Sequence, residues 1–136
     1  MSKSRESLKK VVHTNKTVMQ NHLISLVMLV LGFLICRYGV FDLHGMKEWP
    51  LDLLIAGVLI WFLSLLAGKK YAPWFIPAGY FLGFGMGVLL HTEGTDPGGG
   101  TTDNLWIIWT VVFLACILSG IVTEIVIKWH RLLKHR

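Results

Sequence analysis

Two connecting segments of an otherwise apolar sequence carry side chains that are able to do chemistry. His91 is followed by Glu93 and Asp96, while Arg37 precedes and Asp52 follows the first connection. Carboxylates suit a hard divalent cation, histidine suits zinc, and a histidine near a carboxylate suits proton transfer. One interpretation is that these five side chains line a polar vestibule at one end of the protein. The plainer alternative for His91 is a residue at a helix end, hydrogen-bonded to the loop or to water.

The spacing of these residues matches no catalytic or metal-binding motif. The sequence contains no H-E-x-x-H, no paired C-x-x-C and no EF-hand loop, and the glycine run 98–100 lacks the Lys-Ser/Thr ending of a phosphate-binding loop. Cys116 lies in an apolar segment with no histidine at its depth, so it lacks an activating base. The sequence therefore predicts no catalytic residue, no metal and no cofactor. A site for a metal or small ligand on the vestibule side stays open as an alternative.

The elements that must position these residues are predicted from four uncharged stretches. Each is roughly 16 to 20 residues long, which is the length a helix needs to cross a bilayer. Only 15% of the 136 residues are charged, against about a quarter in a soluble domain. We therefore predict one all-α membrane domain over residues 1–136, a bundle of four transmembrane helices. The predicted spans are 22–41, 51–67, 73–91 and 105–127.

The distribution of charge predicts the orientation of this bundle. Basic residues concentrate in the arm 1–21, in the second connection (Lys69 and Lys70) and in the tail 128–136, whereas the first and third connections are acidic or balanced. By the positive-inside rule both termini are cytoplasmic and the vestibule is outside. The basic segments favour anionic lipid at the cytoplasmic face, and we expect no binding of nucleic acid. The size of the chain suggests a bacterial cytoplasmic membrane.

Two connecting regions carry further expectations. Apolar and basic residues in the arm 1–21 fall on opposite sides of a helical wheel, which favours a short interfacial helix on the cytoplasmic leaflet. A solvated arm is the alternative. The third connection, rich in glycine around Pro97, is expected to be turn and flexible loop, with Asp103 or Asn104 capping the last helix.

Small residues indicate how the helices associate. The third span has glycine at every fourth position, and the last span offers a matching strip. Small residues let helix backbones approach closely in lipid, so we expect the third and fourth helices to pack through these strips, or one strip to serve a second chain. The helix-packing residues are Gly79, Gly83, Gly87, Ala115, Ser119 and Gly120.

The absence of charge near the middle of any predicted span argues against a proton relay or an ion-coupled carrier within one protomer. Glu124 lies near the end of the last span, where an ion pair with Lys128 is the expected role. We therefore predict a non-enzymatic structural or accessory subunit that packs against itself or a larger membrane protein. The alternative is a small oligomeric channel or transporter that is entered through the vestibule.

Overall fold

The computed structural model describes the backbone of residues 2–43 and 45–134, and the side chains of residues 15–42, 45–100 and 102–134. Helices account for most of this region, together with a π-helical turn, a 3-10 turn and one small β-hairpin. The elements in chain order are α1 (Ser2–Leu34), the π-turn (Ile35–Gly39), the 3-10 turn (Phe41–Leu43), α2 (Trp49–Leu66), α3 (Ala72–Leu90), β1 (Glu93–Thr95), β2 (Thr101–Asp103) and α4 (Leu105–Lys134).

Within the described residues, four helical segments are long and apolar enough to cross a membrane. They are Asn15–Gly39, Trp49–Leu66, Ala72–Leu90 and Leu105–Lys134. The structure thus confirms the predicted all-helical class with four helices of membrane-spanning length. The last helix continues seven residues beyond the predicted end at 127, because its basic residues Lys128, Arg131 and Lys134 suit the negative end of the helix dipole.

The first helix differs from prediction at both ends. It runs without interruption from Ser2 to Leu34, so the arm is neither a separate interfacial helix nor an irregular segment. No proline or glycine occurs before Gly32 to break it. The part of the amphipathic pattern before residue 15 falls on side chains outside the described residues, as do the last two residues of the tail. At the other end the α-helix changes after Leu34 into a wider π-helical turn, closed by a hydrogen bond from Val40 N–H to the Ile35 carbonyl at 3.0 Å. The helical segment therefore ends at Gly39, two residues before the predicted end of the span at 41.

The third connection is an antiparallel hairpin, where sequence had suggested a flexible loop. Its register pairs Gly94 with Thr102, and Asp96 closes the glycine-rich tip by accepting hydrogen bonds from the amides of Gly98 and Gly100. An aspartate that binds its own backbone in this way favours a defined turn over a mobile one. The glycines supply the conformational freedom that this turn needs, with φ at +81° in Gly99.

Helix α3 is the centre of the bundle. It contacts α1, α2 and α4, and its interface with α4 is by far the most extensive. The largest fully buried side chains include Tyr80 on α3 and Trp109 and Phe113 on α4. The rings of Tyr80 and Trp109 pack edge to face, with their centroids 5.2 Å apart. The α2–α3 connection and the hairpin lie at opposite ends of α3, and we call these ends the turn end and the hairpin end.

Candidate functional site

The three predicted glycines form a groove on α3 that α4 enters. Gly79, Gly83 and Gly87 are all buried. A Cβ atom added at Gly83 would lie 2.6 Å from Cδ1 of Trp109 and 2.7 Å from the Trp109 carbonyl oxygen. Real Cβ atoms do not come so close to other atoms. The two helix backbones are therefore near enough that only glycine fits at this position.

The α4 side of this interface differs from the predicted strip of small residues. The groove is filled by large side chains at four-residue spacing, Leu105, Trp109 and Phe113, together with Cys116 opposite Gly79. Ala115 and Ser119 are exposed, and the Ser119 hydroxyl donates to the Ala115 carbonyl of its own helix at 2.8 Å. A groove of three glycines is deep enough for an indole ring, so large residues opposite it bury more surface than small residues would.

Gly120 does contact α3, although it meets a phenylalanine there. A Cβ atom at Gly120 would lie 2.9 Å from both Cβ and Cγ of Phe75. The relation between the helices is thus reciprocal, since each carries glycine where the other carries a ring. These glycines lie where the two backbones approach closely, and the partner residue at each of them depends on the three-dimensional register.

Polar side chains inside the bundle bind backbone carbonyls of neighbouring helices. The Ser25 hydroxyl donates to the Pro73 carbonyl at 2.5 Å, and the Tyr80 hydroxyl donates to the Pro50 carbonyl at 2.8 Å. Pro73 needs such a donor because residue 77, four positions on, is a proline without an N–H. These bonds join α1 and α2 to α3, and they leave the buried hydroxyls satisfied.

Two tryptophans extend this pattern, and one histidine departs from it. Trp109 Nε1–H donates to the Tyr80 carbonyl at 2.9 Å, and Trp61 Nε1–H donates to the His22 carbonyl at 2.8 Å. His22 is fully buried; its Nδ1 lies 2.9 Å from the Val18 carbonyl, whereas Nε2 has no hydrogen-bond partner. Since the carbonyl can only accept, Nδ1–H is the donor of this hydrogen bond.

The predicted vestibule residues are engaged locally at the hairpin end. Arg37 donates to the Lys47 carbonyl and lies 5.9 Å from the ring centres of Phe33 and Tyr38. His91 places Nδ1 2.7 Å from the Val88 carbonyl, so it caps the end of its own helix. The partner is thus the helix itself, whereas the plainer role considered for His91 was a bond to the loop or to water.

The acidic members of the predicted vestibule are all exposed. Asp52 lies in the first turn of α2, Glu93 faces Asp103 across the hairpin, and Asp96 binds the hairpin tip. Two cavities lie at this end. Arg37 contributes to the lining of one, and none of the five predicted vestibule residues lines the other. Over the described residues, no group of three or more histidine, cysteine or acidic side chains is arranged to hold a metal ion.

The α2–α3 turn is short and is held by several hydrogen bonds. Gly68, which follows the C-cap of α2, has a φ of +60°, and the amides of Gly68 and Lys69 donate to the carbonyls of Leu65 and Ser64 at 3.0 Å. This double closure is the Schellman arrangement, in which glycine takes the left-handed position. It fixes the direction in which the chain leaves α2.

Glu124 of α4 completes the other side of the turn. Its Oε1 accepts hydrogen bonds from three consecutive backbone amides, those of Lys70 at 2.7 Å, Tyr71 at 2.5 Å and Ala72 at 3.2 Å. These amides are at the start of α3, where no intrahelical acceptor exists for them and the helix dipole favours negative charge. The carboxylate is thus an N-cap supplied from another helix, and this contact replaces the predicted ion pair with Lys128 as its principal role.

A cavity of about 510 Å³ opens beside this turn. Its walls come from the turn itself and from one face of α4 near its C-terminal end. Most of its polar lining is cationic. The lining residues are Ala67, Gly68, Lys69, Lys70, Tyr71, Glu124, Ile127, Lys128, Arg131 and Leu132.

The sequence showed the basic residues of this cavity, but only as separate signals of orientation. Lys69 and Lys70 are about sixty residues from Lys128 and Arg131, and no spacing rule joins segments that far apart. Glu124 is the link, because its three hydrogen bonds bring the end of α4 to the turn.

Comparison with known proteins gives no match to a family model, to a curated protein or to a solved structure.

Proposed function

We propose that this chain is an integral membrane protein of four transmembrane helices, with both termini and the turn end in the cytoplasm. Four helical segments have the required length and composition. Their connections place the basic segments at one end, which is the cytoplasmic end by the positive-inside rule. The bacterial cytoplasmic membrane is the proposed location.

Within that membrane we propose a non-catalytic role as a structural or accessory subunit. The observation that carries this proposal is the interior hydrogen bonding, in which Ser25, Tyr80, Trp61 and Trp109 all bind backbone carbonyls. A conduction or catalytic path needs polar groups that are free to bind a solute. Here the hydroxyl and indole donors instead fasten the helices to one another, as expected of a rigid scaffold in lipid.

The partner in this proposal is a second copy or a larger membrane protein, bound through the outward face of α4. The α3 glycines are occupied by α4 of the same chain, whereas Ala115 and Ser119 of the predicted strip remain exposed. Small exposed residues allow another helix to approach closely. The Gly83 position is unsuitable for testing this idea, because a larger residue there would disturb the bundle itself.

The test is purification in mild detergent without cross-linker, followed by mass analysis of the complex. We expect Ala115→Leu to reduce the amount of a second copy or a partner that is retained, with the melting temperature unchanged. Ala78→Leu is the matched control, since Ala78 is also an exposed alanine within a helix. Recovery of the wild-type chain as a bare monomer, or equal retention by both variants, would refute the accessory role through this face.

An oligomeric channel entered through the vestibule is the competing proposal, and the geometry gives it less support. Arg37 and His91 are bound to backbone carbonyls near them in sequence. Proteoliposomes distinguish the two functions. The accessory role predicts vesicles without solute flux, and His91→Ala or Asp52→Asn should leave them tight.

A further inference from the structure

We propose that the cavity at the turn end binds the phosphodiester headgroup of an anionic lipid. The inference rests on the membrane topology proposed above and identifies a specific site at the cytoplasmic face. It assigns a common role to four cations from two distant parts of the chain, Lys69 and Lys70 on the turn and Lys128 and Arg131 on α4. A volume of about 510 Å³ is within the range of small-ligand sites.

The charge of the cavity selects an anion. Four cationic residues and one acidic residue, Glu124, line the cavity, which leaves a formal excess of three positive charges. That carboxylate is already bound to three backbone amides at the start of α3. The helix terminus and the carboxylate therefore satisfy each other, and the cations remain for a ligand.

The cations line the cavity from two sides, the turn and one face of α4. Lys70 is held in the turn, with Nζ 5.5 Å from the centre of the Tyr71 ring, and its backbone amide is fixed by Glu124. Arg131 lies one helical turn beyond Ile127 and two turns beyond Glu124, on the same face of α4. Lysine supplies point charge and arginine supplies a planar pair of donors, a combination well suited to phosphate.

The apolar neighbours of the cavity favour a lipid as the source of the phosphate. Ala67, Ile127 and Leu132 contribute to the lining. Beside them, Leu66 and Leu63 continue an exposed apolar surface along α2, with exposed fractions of 70% and 63%. A lipid can place its phosphate among the cations and an acyl chain along this surface, whereas free phosphate would use the cations alone. Basic pockets between helices at the cytoplasmic face are suited to lipid headgroups for this reason.

The experiment measures binding of phosphatidylglycerol and phosphatidylcholine to the purified full-length protein in mild detergent, by native mass spectrometry. The test variant is Lys69→Gln/Arg131→Gln, which removes two cations of the cavity. The matched control is Lys16→Gln/Lys134→Gln, which removes two exposed cations outside it. We expect the test variant to weaken phosphatidylglycerol binding by about 10- to 30-fold, as expected for two interfacial charges. The control should change it by less than about 3-fold.

Each outcome decides the proposal. Preferential binding of phosphatidylglycerol that is lost only in the test variant, and that excess inorganic phosphate does not displace, supports it. Equal losses of phosphatidylglycerol binding in both double variants would show only a general attraction between charges. Displacement of the lipid by inorganic phosphate would identify a site for free anions. Either result overturns the lipid site. The melting temperatures of both double variants, and of Arg131→Gln alone, are compared with that of the wild-type protein to check that the fold is intact.

Failure of the underlying topology gives a different result. A protein that alkaline carbonate releases from membranes is not integral, and the proposed function then fails before any lipid is measured. A protein that stays in the membrane fraction but binds both lipids equally contradicts the lipid site alone.

Discussion

Individual residues in this protein act through backbone atoms more than through one another's side chains. Pro77 leaves the carbonyl of Pro73 without its usual donor, and Ser25 of α1 supplies one. Gly83 has no side chain, and the indole of Trp109 lies in the space this leaves. In both places a residue that weakens an isolated helix creates the position that a neighbouring helix occupies.

The serine and the proline should therefore be energetically coupled. Ser25→Ala in the wild-type background leaves the Pro73 carbonyl underbonded and should lower the free energy of unfolding by about 1 kcal/mol. In a Pro77→Ala background the restored N–H of residue 77 can donate to the Pro73 carbonyl. Ser25→Ala should therefore lower the free energy of unfolding by less in that background. A double-mutant cycle by denaturant titration in micelles measures the difference. Equal costs in the two backgrounds would rule out the coupling.

Two glycines on α3 should respond in opposite directions to the same substitution. Gly83→Ala places a methyl group against the backbone oxygen of Trp109 and should destabilise the protein by about 1–3 kcal/mol. Gly85 has no atom within 4 Å of the position that its Cβ would take. Gly85→Ala should therefore be neutral, or stabilising by up to about 1 kcal/mol, because alanine is the better helix former. Thermal unfolding in detergent compares the two variants. Similar losses of stability at both sites would contradict the close packing of α4 into the glycine groove.

At the scale of elements, the turn between α2 and α3 depends on a residue from α4. The glycine closure of α2 is local, since Gly68 and Lys69 bind carbonyls of the helix they follow. The start of α3 is different, because its amides bind Glu124, more than fifty residues away. The turn is thus both a chain connection and the attachment point of the last helix.

Glu124→Ala should release this attachment. Three amides lose a charged acceptor, and we expect a loss of about 2 kcal/mol in stability. Glu124→Gln keeps an oxygen that can accept hydrogen bonds from these amides, so it should lose less stability. The direct measurement is hydrogen exchange at the amides of Lys70, Tyr71 and Ala72, which should be faster in the alanine variant.

Glu48→Ala is the control for this prediction. Glu48 is an exposed glutamate that precedes α2, and its side chain makes no cap hydrogen bond. Its replacement should leave exchange at the three amides unchanged. If exchange stays unchanged in Glu124→Ala as well, the tertiary cap is not a stabilising contact in solution.

At the scale of the whole molecule, the proposed topology places the turn end in the cytoplasm and the hairpin end outside. Single cysteines at Lys69 and Thr95, in a chain whose own cysteines are replaced with alanine, test this placement. An impermeant maleimide applied to intact cells should label Thr95→Cys and should reach Lys69→Cys only after permeabilisation. Labelling of both before permeabilisation would invalidate the assignment of sides.

The number and positions of the four long helices could be predicted from sequence because uncharged stretches of membrane length are a local property of the chain. The contacts between them could not. The spacing of Gly79, Gly83 and Gly87 indicates a groove, but the register of α4 decides that Trp109 enters it while Ala115 is exposed. The role of Glu124 was missed for the same reason, since its partners are three amides that carry no sequence signal.

The dependence of α3 on α4 has a consequence for biosynthesis. While the ribosome is still translating the last helix, the opening amides of α3 lack Glu124 and its glycine groove lacks Trp109. The nascent protein therefore acquires its final rigidity only after α4 has been translated. A product that stops at residue 104 should be degraded quickly by membrane quality-control proteases, and a pulse-chase comparison with the full-length chain would show the shorter half-life.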